Sequence, residues 1–301
     1  MRKIVECVPN FSEGRRQEII DQIAEAVATV PGTHVLDVQS DADHNRTVVT
    51  FVGERATVEE AAFRGIEKAA ELIDMNLHRG EHPRLGATDV VPFVPIKNVA
   101  MEDCVALARR LGERVGRELE IPVYLYERAA IRPGRQNLAE VRRGEYEGIK
   151  AEIATRPERE PDFGPRRVGK AGATAIGARP PLIAFNVYLG TDDVEVAKAI
   201  ARAVRHSSGG LRYVKALGLL VKGRAQVSMN LTDYRQTPVH RVIEMIRREA
   251  ERYGVSVVES ELIGLTPSEA LVEAAEFYLQ LGNFSPDQIL ENRLADFTQQ
   301  G

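Results

Sequence analysis

The stretch PLIAFNVYL at residues 181–189, followed at once by Gly190-Thr191-Asp192-Asp193, decides how the chain is organised. A short apolar run rich in β-branched and aromatic residues reads as a buried strand. The Thr and Asp residues behind it supply an N-cap and negative charge for a helix that reaches residue 204. Upstream, Pro157, Pro161, Pro165 and Pro180, with several Gly and Arg, leave residues 151–180 without a sustained period, as expected of a connecting segment. A strand that restarts after such a segment begins a second lobe. The expected division is an N-terminal subdomain of residues 1–178, including connecting residues 151–178, and a C-terminal subdomain of residues 179–301.

Outward from that point the two halves read alike. Downstream come strands near residues 214–221 and 225–231, then Thr237-Pro238 as cap and first-turn proline for a helix carrying Val239, Val242, Ile243, Ile246 and Ala250. A strand at 255–258 follows, and Thr266-Pro267-Ser268-Glu269 has the spacing of a capping box before a last helical region. Upstream, residues 3–8 form a strand, and Ile19, Ile20, Ile23, Ala24 and Val27 repeat at helical spacing. Residues 34–38 and 47–52 read as strands, and Val58, Ala62, Ile66, Ala69 and Ile73 mark a second helix. Residues 90–96, with two prolines, read as an edge-type strand, 101–119 as a helix and 122–126 as a strand that completes the first lobe. The fold class this implies is α+β, with two ferredoxin-like α/β sandwich subdomains flanking a substrate groove. Neither a Gly-x-Gly-x-x-Gly nor a P-loop string occurs, so dinucleotide and nucleoside triphosphate folds have no support.

Bulk composition removes further classes. The 301 residues are 44% hydrophobic and 28% charged, which describes a folded chain long enough for two cores. Forty basic against 44 acidic side chains, a formal charge of -4, leave no uniformly positive surface for nucleic acid. The N-terminal apolar run is broken by Glu6 and Pro9, too early for a secretion signal, and no run suits a membrane helix. A cytoplasmic protein without membrane association is expected. Cys7 and Cys104 have no partner at metal-ligand spacing and read as reduced, packed thiols.

Chemistry concentrates in HRGEHPRLGATD at residues 78–89. Pro83 keeps His82 out of the helical backbone region, and Gly80 and Gly86 permit tight turns on either side, so the loop can present an imidazole at fixed geometry. A lone loop histidine is more often a solvated surface residue. His78 to His82 also spells His-x-x-Glu-His, but that zinc motif needs a helix, which Gly80 and Pro83 oppose, and no metal is expected. Two further polar clusters are Asp41-Ala42-Asp43-His44-Asn45-Arg46, otherwise a charged hairpin connection, and Asn10-Phe11-Ser12-Glu13-Gly14, where Ser12 can simply cap a helix.

Several strings in one order resemble the glutamate formimidoyltransferase family, the formiminotransferase portion of formiminotransferase-cyclodeaminase. They are VECVPNFSEG (5–14), NRTV (45–48), TFVG (50–53), LIDM (72–75), GEHPRLGATDVVPF (80–93), PVYLYE (122–127), GRQNL (134–138), PDFGP (161–165), GAT (172–174) and AFNVYL (184–189). The resemblance implies transfer of a formimino group from N-formimidoyl-L-glutamate to tetrahydrofolate, a co-substrate, with no metal and a homodimer as the assembly. It implies His82 as the catalytic histidine. By the same resemblance, folate binds at Phe163, Gly164, Pro165, Arg166, Arg167, Val168, Gly169, Lys170, Ala171 and Gly172. The chain ends at Gly301 without a cyclodeaminase portion, so transfer without cyclisation is expected.

Formimino transfer needs a proton moved from the folate N5 to the departing glutamate nitrogen, which suits an imidazole of reference pKa about 6.5. Asn10, Asp41, Asp43, Asn45, Arg46, Glu81 and Arg84 are the candidate supporting residues. Of these, Glu81, Asp41 or Asp43 can orient the ring. For the substrate carboxylates the candidates are Arg46 first, then Arg84, Arg132, Arg135, Arg166, Arg167 and Lys170. Phe163 suits either a pterin wall or an anchor for the connecting segment. The competing readings are a 5-formyltetrahydrofolate:glutamate formyltransferase, a non-catalytic folate-binding protein and, third, a metallohydrolase.

Overall fold

In the computed structural model, which describes residues 2–299, the first strand is in two pieces, β1 (Ile4–Cys7) and β2 (Asn10–Phe11), separated at Val8-Pro9. Helix α1 (Gln17–Ala28) follows and buries the apolar stripe Ile19, Ile20, Ile23 and Val27. The antiparallel pair β3 (His34–Asp41) and β4 (Arg46–Gly53), helix α2 (Arg55–Leu72) and strand β5 (Thr88–Lys97) complete a β-α-β-β-α-β unit. Its strands lie in the order β3, β4, β1 with β2, then β5, the split arrangement of a ferredoxin-like sandwich. The sheet is then extended. After α3 (Met101–Glu118) and β6 (Val123–Glu127) come α4 (Leu138–Val141), α5 (Glu145–Glu152) and β7 (Thr174–Ala178). Strand β7 inserts between β5 and β6, parallel to both.

Two expectations fail here. Strand β5 is central rather than an edge, with β1 and β2 on one side and β7 on the other. Its prolines are tolerated because each sits at a break in the ladder. Pro92 lies opposite the gap between β1 and β2, where its carbonyl accepts from Val8 N at 3.3 Å. Pro95 pairs with Val5 beside a register shift. The segment 151–180 is also more than a connection, since it carries β7, and β6 does not complete the first lobe. TAIGA is too short to show a period among the surrounding Pro and Gly residues, yet all five residues are buried.

The core of this unit joins Phe11, Phe51 and Phe93 from the sheet to Ile23, Ile66, Leu107 and Leu111 from the helices, all essentially inaccessible. Each such side chain contributes about 1.5–3 kcal/mol through removal from water.

The second sheet has the order β11-β8-β10-β9, built from β8 (Ile183–Leu189), α6 (Val194–Val204), β9 (Val214–Val221), β10 (Arg224–Leu231), α7 (Val239–Glu251) and β11 (Val257–Ile263), again a ferredoxin-like order. Helices α8 (Ser268–Leu279) and α9 (Leu290–Gln299) follow. Asp193 caps α6 by accepting from Glu195 N at 2.9 Å. The other two caps read from sequence do not form. Thr237 Oγ1 donates to Arg212 O at 2.6 Å instead. Before α8 no side-chain cap is present, and Glu269 is drawn away to Tyr234 and Arg235. A tertiary partner thus takes the cap hydroxyl at Thr237 and the carboxylate at Glu269, while Thr266 Oγ1 is buried with no hydrogen-bond partner among the described residues. The α+β class with two subdomains therefore stands. One compact unit runs through Ala184 and includes Val221–Gly223 and Leu262–Leu265, and the remaining residues form the second.

Backbone contact between two segments of the first unit sets where its loop chemistry lies. Ala87 N donates to Ala171 O at 2.8 Å and Ala173 N to Leu85 O at 3.1 Å. The approach is so close that a Cβ on Gly86 would fall 2.3 Å from Ala173 O and 2.5 Å from Ala171 O. Gly86→Ala is therefore expected to destabilise the fold by about 1–3 kcal/mol, the usual cost of overpacking, read as a lower urea midpoint.

Candidate active site

The site is built around Asp89, at the start of β5 and 0% exposed. Its Oδ1 accepts from Leu85 N at 3.0 Å and from Arg142 Nε at 3.3 Å. Its Oδ2 accepts from Arg46 Nη1 at 2.7 Å and from Arg142 Nη2. Burial alone would raise this carboxyl, but the Arg142 and Arg46 guanidiniums bring it below its ordinary value, so it is ionised. Arg46, the first residue of β4, donates Nε and Nη2 to Asn10 Oδ1 at 2.9 and 2.5 Å. Asn10 in turn donates Nδ2 to Val8 O at 2.8 Å, which fixes its amide orientation. Burial pulls Arg46 down to about 10, partly offset by Asp89, and the side chain remains a cation at neutral pH.

His82 is attached to this network through Nδ1, which lies 2.8 Å from Arg46 Nη1 and 2.7 Å from Pro83 O. With the proton on Nδ1, Pro83 O accepts it and Nε2 presents its lone pair. With the proton on Nε2, Nδ1 accepts from Arg46. Nε2 itself has no hydrogen-bond partner among the described residues. Burial, then the Arg46 and Arg142 charges, hold His82 well below the usual histidine value, against the Pro83 carbonyl, which favours the cation. The ring is neutral, and its protonated form is a strong acid for an imidazole. The His44 ring stands edge-on to it, with centroids 5.9 Å apart and planes at 83°.

The other candidates are placed unequally around this centre. Asp41 does not touch His82; it holds His44, accepting from His44 N at 2.7 Å and lying 3.2 Å from His44 Nδ1. Asp43 contributes its carbonyl to Glu81 N at 3.2 Å. The Glu81 side chain is exposed, and its carboxylate has no hydrogen bond or ion pair among the described residues. The orienting group expected to be a carboxylate is thus a carbonyl and a guanidinium. Asn45, in the left-handed region at φ 48°, joins the loops by accepting from Gly14 N at 2.9 Å and donating to Arg79 O at 2.9 Å. Arg84 is 8% exposed and is held by Glu145 at 2.7 Å and Glu147 at 2.6 Å, so it fastens the loop to α5 rather than awaiting a substrate. Ser12 donates to Gly86 O at 2.8 Å, and it is Glu13 that takes the Arg15 and Arg16 amides at the start of α1. His78 is occupied at both nitrogens, by Asn45 O at 3.0 Å and Arg84 Nε at 3.4 Å. Among the described residues, no group of three or more His, Cys, Asp and Glu could hold a metal ion.

The stretch 163–172 divides in two. Phe163 bonds to Val123 through the backbone and sets its ring against Gly112 of α3, and Val168 and Ala171 pack on the core. Phe163 therefore anchors the segment. The basic residues are engaged: Arg166 with Ile153 O at 3.5 Å, Arg167 with Glu120 at 2.5 Å and Lys170 with Glu71 O at 2.8 Å. Between them, Gly164 has φ 84° and a Cβ there would fall 2.5 Å from Ile121 O, while Pro165 follows it. Only the far end, Gly169 to Gly172, meets the His82 loop, through the Gly86–Gly172 bridge. Arg132 and Arg135 are both taken by buried Asp162, at 3.1 and 2.6 Å.

Sequence reading missed Asp89 as a site residue, and it missed Arg142 and His44. Asp89 lies inside the quoted loop string, where an acid next to a strand carries no distinctive pattern. Arg142 sits in VRRGEY, which looks like a solvated helix end.

A buried imidazole held at Nδ1 and unpartnered at Nε2 among the described residues, set beside a guanidinium–carboxylate network in an α+β fold, is an arrangement able to move a proton on a small polar molecule. The formiminotransferase domain, N-terminal subdomain, matches residues 4–179, and the formiminotransferase domain matches residues 184–293. Glutamate formimidoyltransferase of Thermoplasma acidophilum is 52% identical, over 97% of this chain and 97% of its own. That of Streptococcus pyogenes serotype M1 is 50% identical over 98% and 99%. The formimidoyltransferase-cyclodeaminase of Mus musculus is 47% identical over 92% of this chain and 53% of that protein. This chain belongs to the formiminotransferase domain family.

Asp89→Asn leaves two buried guanidiniums short of their counter-charge and is expected to cost about 3–5 kcal/mol at neutral pH. A carboxyl lowered on folding contributes stability that is complete above its unfolded value, about 3.9, and is lost as pH falls through the lower folded value. The wild-type urea midpoint should fall across that acid window, and that fraction of the fall should be missing from Asp89→Asn.

Proposed function

We propose that this chain transfers the formimino group of N-formimidoyl-L-glutamate to N5 of tetrahydrofolate, giving 5-formiminotetrahydrofolate and L-glutamate. The reading rests on one observation above the rest, a His82 ring fixed at Nδ1 and unpartnered at Nε2 among the described residues. N5 attacks the amidine carbon, forming a C–N bond and a tetrahedral intermediate. His82 Nε2 takes the proton shed by N5, and Pro83 O holds the Nδ1–H of the resulting imidazolium. Arg46 makes that cation short-lived, so the proton passes to the glutamate nitrogen as its bond to carbon breaks. The ring ends neutral and ready for the next cycle.

The folate is a co-substrate, and its contact with the chain is assigned to the 163–172 stretch. The backbone contacts of Ala171 and Gly172 with Ala87 and Gly86 of the His82 loop support assigning the pterin to the Gly169–Gly172 end. The reaction is assigned to the cytoplasm, in keeping with Cys7 and Cys104 as free, buried thiols. No helix among the described residues is long and apolar enough to cross a membrane. A homodimer is the proposed assembly, and side chains of α8 such as Leu271, Phe277 and Leu279 are exposed apolar surface in the single chain.

Purified protein mixed with N-formimidoyl-L-glutamate and tetrahydrofolate should form 5-formiminotetrahydrofolate. His82→Ala should keep the wild-type melting curve and lose roughly 10² to 10⁴ in kcat, the range for an acid–base group. Near-normal turnover in that variant would remove His82 from the mechanism. Because burial and the two arginines depress the His82 pKa, kcat/KM should stay level as pH falls through about 6.5 and decline only at clearly lower pH. In Arg46→Gln the acid limb should move up towards 6.5, as a pH–rate series would show.

A further inference from the structure

The charges at the centre of the site do not balance. Arg46 and Arg142 both face one carboxylate, Asp89, and neither guanidinium has a second acidic partner among the described residues. The neighbouring His82 is neutral. An excess positive charge in a largely buried cluster is costly unless something anionic meets it. The two arginines differ in what they have left to give. Arg46 uses Nε and Nη2 on Asn10 and Nη1 on Asp89 and His82. Arg142 uses only Nε and Nη2, both on Asp89, which leaves Nη1 without a partner among the described residues. Arg142 stands at the C-terminal end of α4, and its side chain is 15% exposed, as is that of Arg46, so the unused donor rather than exposure tells the two apart.

We infer that Arg142 is the residue that binds the α-carboxylate of the formimino donor, with Nη1 as the donating atom; this rests on the transferase reading above. Position favours the donor over the folate tail as the source of the anion. One carboxylate oxygen and one guanidinium nitrogen separate Arg142 from the His82 ring, through Asp89 Oδ2 and Arg46 Nη1. On the donor, the α-carboxylate is one carbon away from the nitrogen that departs at His82. The carboxylates of a folate stand beyond the aminobenzoyl spacer, far from N5. Asp89 then works as a template: it takes two of the Arg142 donors and aims the third at the donor's carboxylate, while through Arg46 it sets the imidazole that moves the proton. A formimino donor without an α-carboxylate would lose this anchor.

The test uses Arg142→Gln and Arg142→Lys in the full chain. Asp89 keeps Arg46 as a partner in both, so no buried carboxylate is stranded. With tetrahydrofolate saturating, Arg142→Gln should raise the KM for N-formimidoyl-L-glutamate about 10- to 100-fold, the scale of one lost charged hydrogen bond. The KM for tetrahydrofolate should stay within about twofold, kcat should fall far less than in His82→Ala, and Arg142→Lys should recover part of the loss. Binding of L-glutamate, followed by calorimetry without turnover, should weaken by a similar factor. A parallel rise in the KM for tetrahydrofolate would assign the anion to the folate tail and overturn the proposal. So would a drop in kcat with both KM values unchanged, which would make Arg142 merely a support for Asp89. Wild-type protein that binds L-glutamate through Arg142 yet transfers nothing would refute the transferase reading and leave the carboxylate site standing.

Discussion

One buried carboxylate organises the active region. Asp89 has no access to water, so its charge is stable only while Arg46, Arg142 and the Leu85 amide surround it. Those three partners come from β4, from the end of α4 and from the loop that carries His82. Satisfying a single side chain therefore draws three separate pieces of chain to one point. The requirement is strict because without those counter-charges burial would favour the protonated, neutral carboxyl.

From that constraint the behaviour of His82 follows. Asp89 holds Arg46, and Arg46 stands 2.8 Å from the imidazole, where its charge works against a second cation. The usual way to orient a histidine is a carboxylate on the remote ring nitrogen, which raises its basicity. Here a carbonyl and a guanidinium occupy that side, which favours rapid release of a proton over its retention. In the proposed transfer, where His82 both accepts and returns a proton within one turnover, avoiding the stable imidazolium is the more useful arrangement. The close passage of Gly86 against Ala171 and Ala173 ties the loop to the 169–173 segment without any side chain between them.

Local reading and tertiary outcome diverge where two partners compete for one group. Thr237 and Glu269 have the spacing of helix caps, but the hydroxyl within reach of Arg212 O and the carboxylate within reach of Tyr234 and Arg235 form those bonds instead. Pro92 and Pro95 argued for an edge strand because a proline removes a ladder donor. The sheet accommodates both at irregularities in β1 and β2, a fact about the partner strand. Arg84 has the charge of a substrate clamp, but Glu145 and Glu147 hold it. Charge alone does not say whether an arginine is free.

The periodic skeleton and the special backbone positions can be read from the order of residues. The apolar stripes of α1, α2, α3, α6 and α7, the short strand runs, and the Pro-restricted, Gly-flanked His82 were all legible, because each depends on residues within a turn or two of one another. Separated strings in a common order also carried the family resemblance. Tertiary structure alone decided which polar residues meet: that β7 slips between β5 and β6, that Asp89 joins Arg46 to Arg142, and that Pro83 and Arg46 rather than Glu81, Asp41 or Asp43 govern the histidine. Those are contacts between residues tens of positions apart, and the free energy that selects them comes from desolvation and pairing in the folded interior, which no local pattern in the chain encodes.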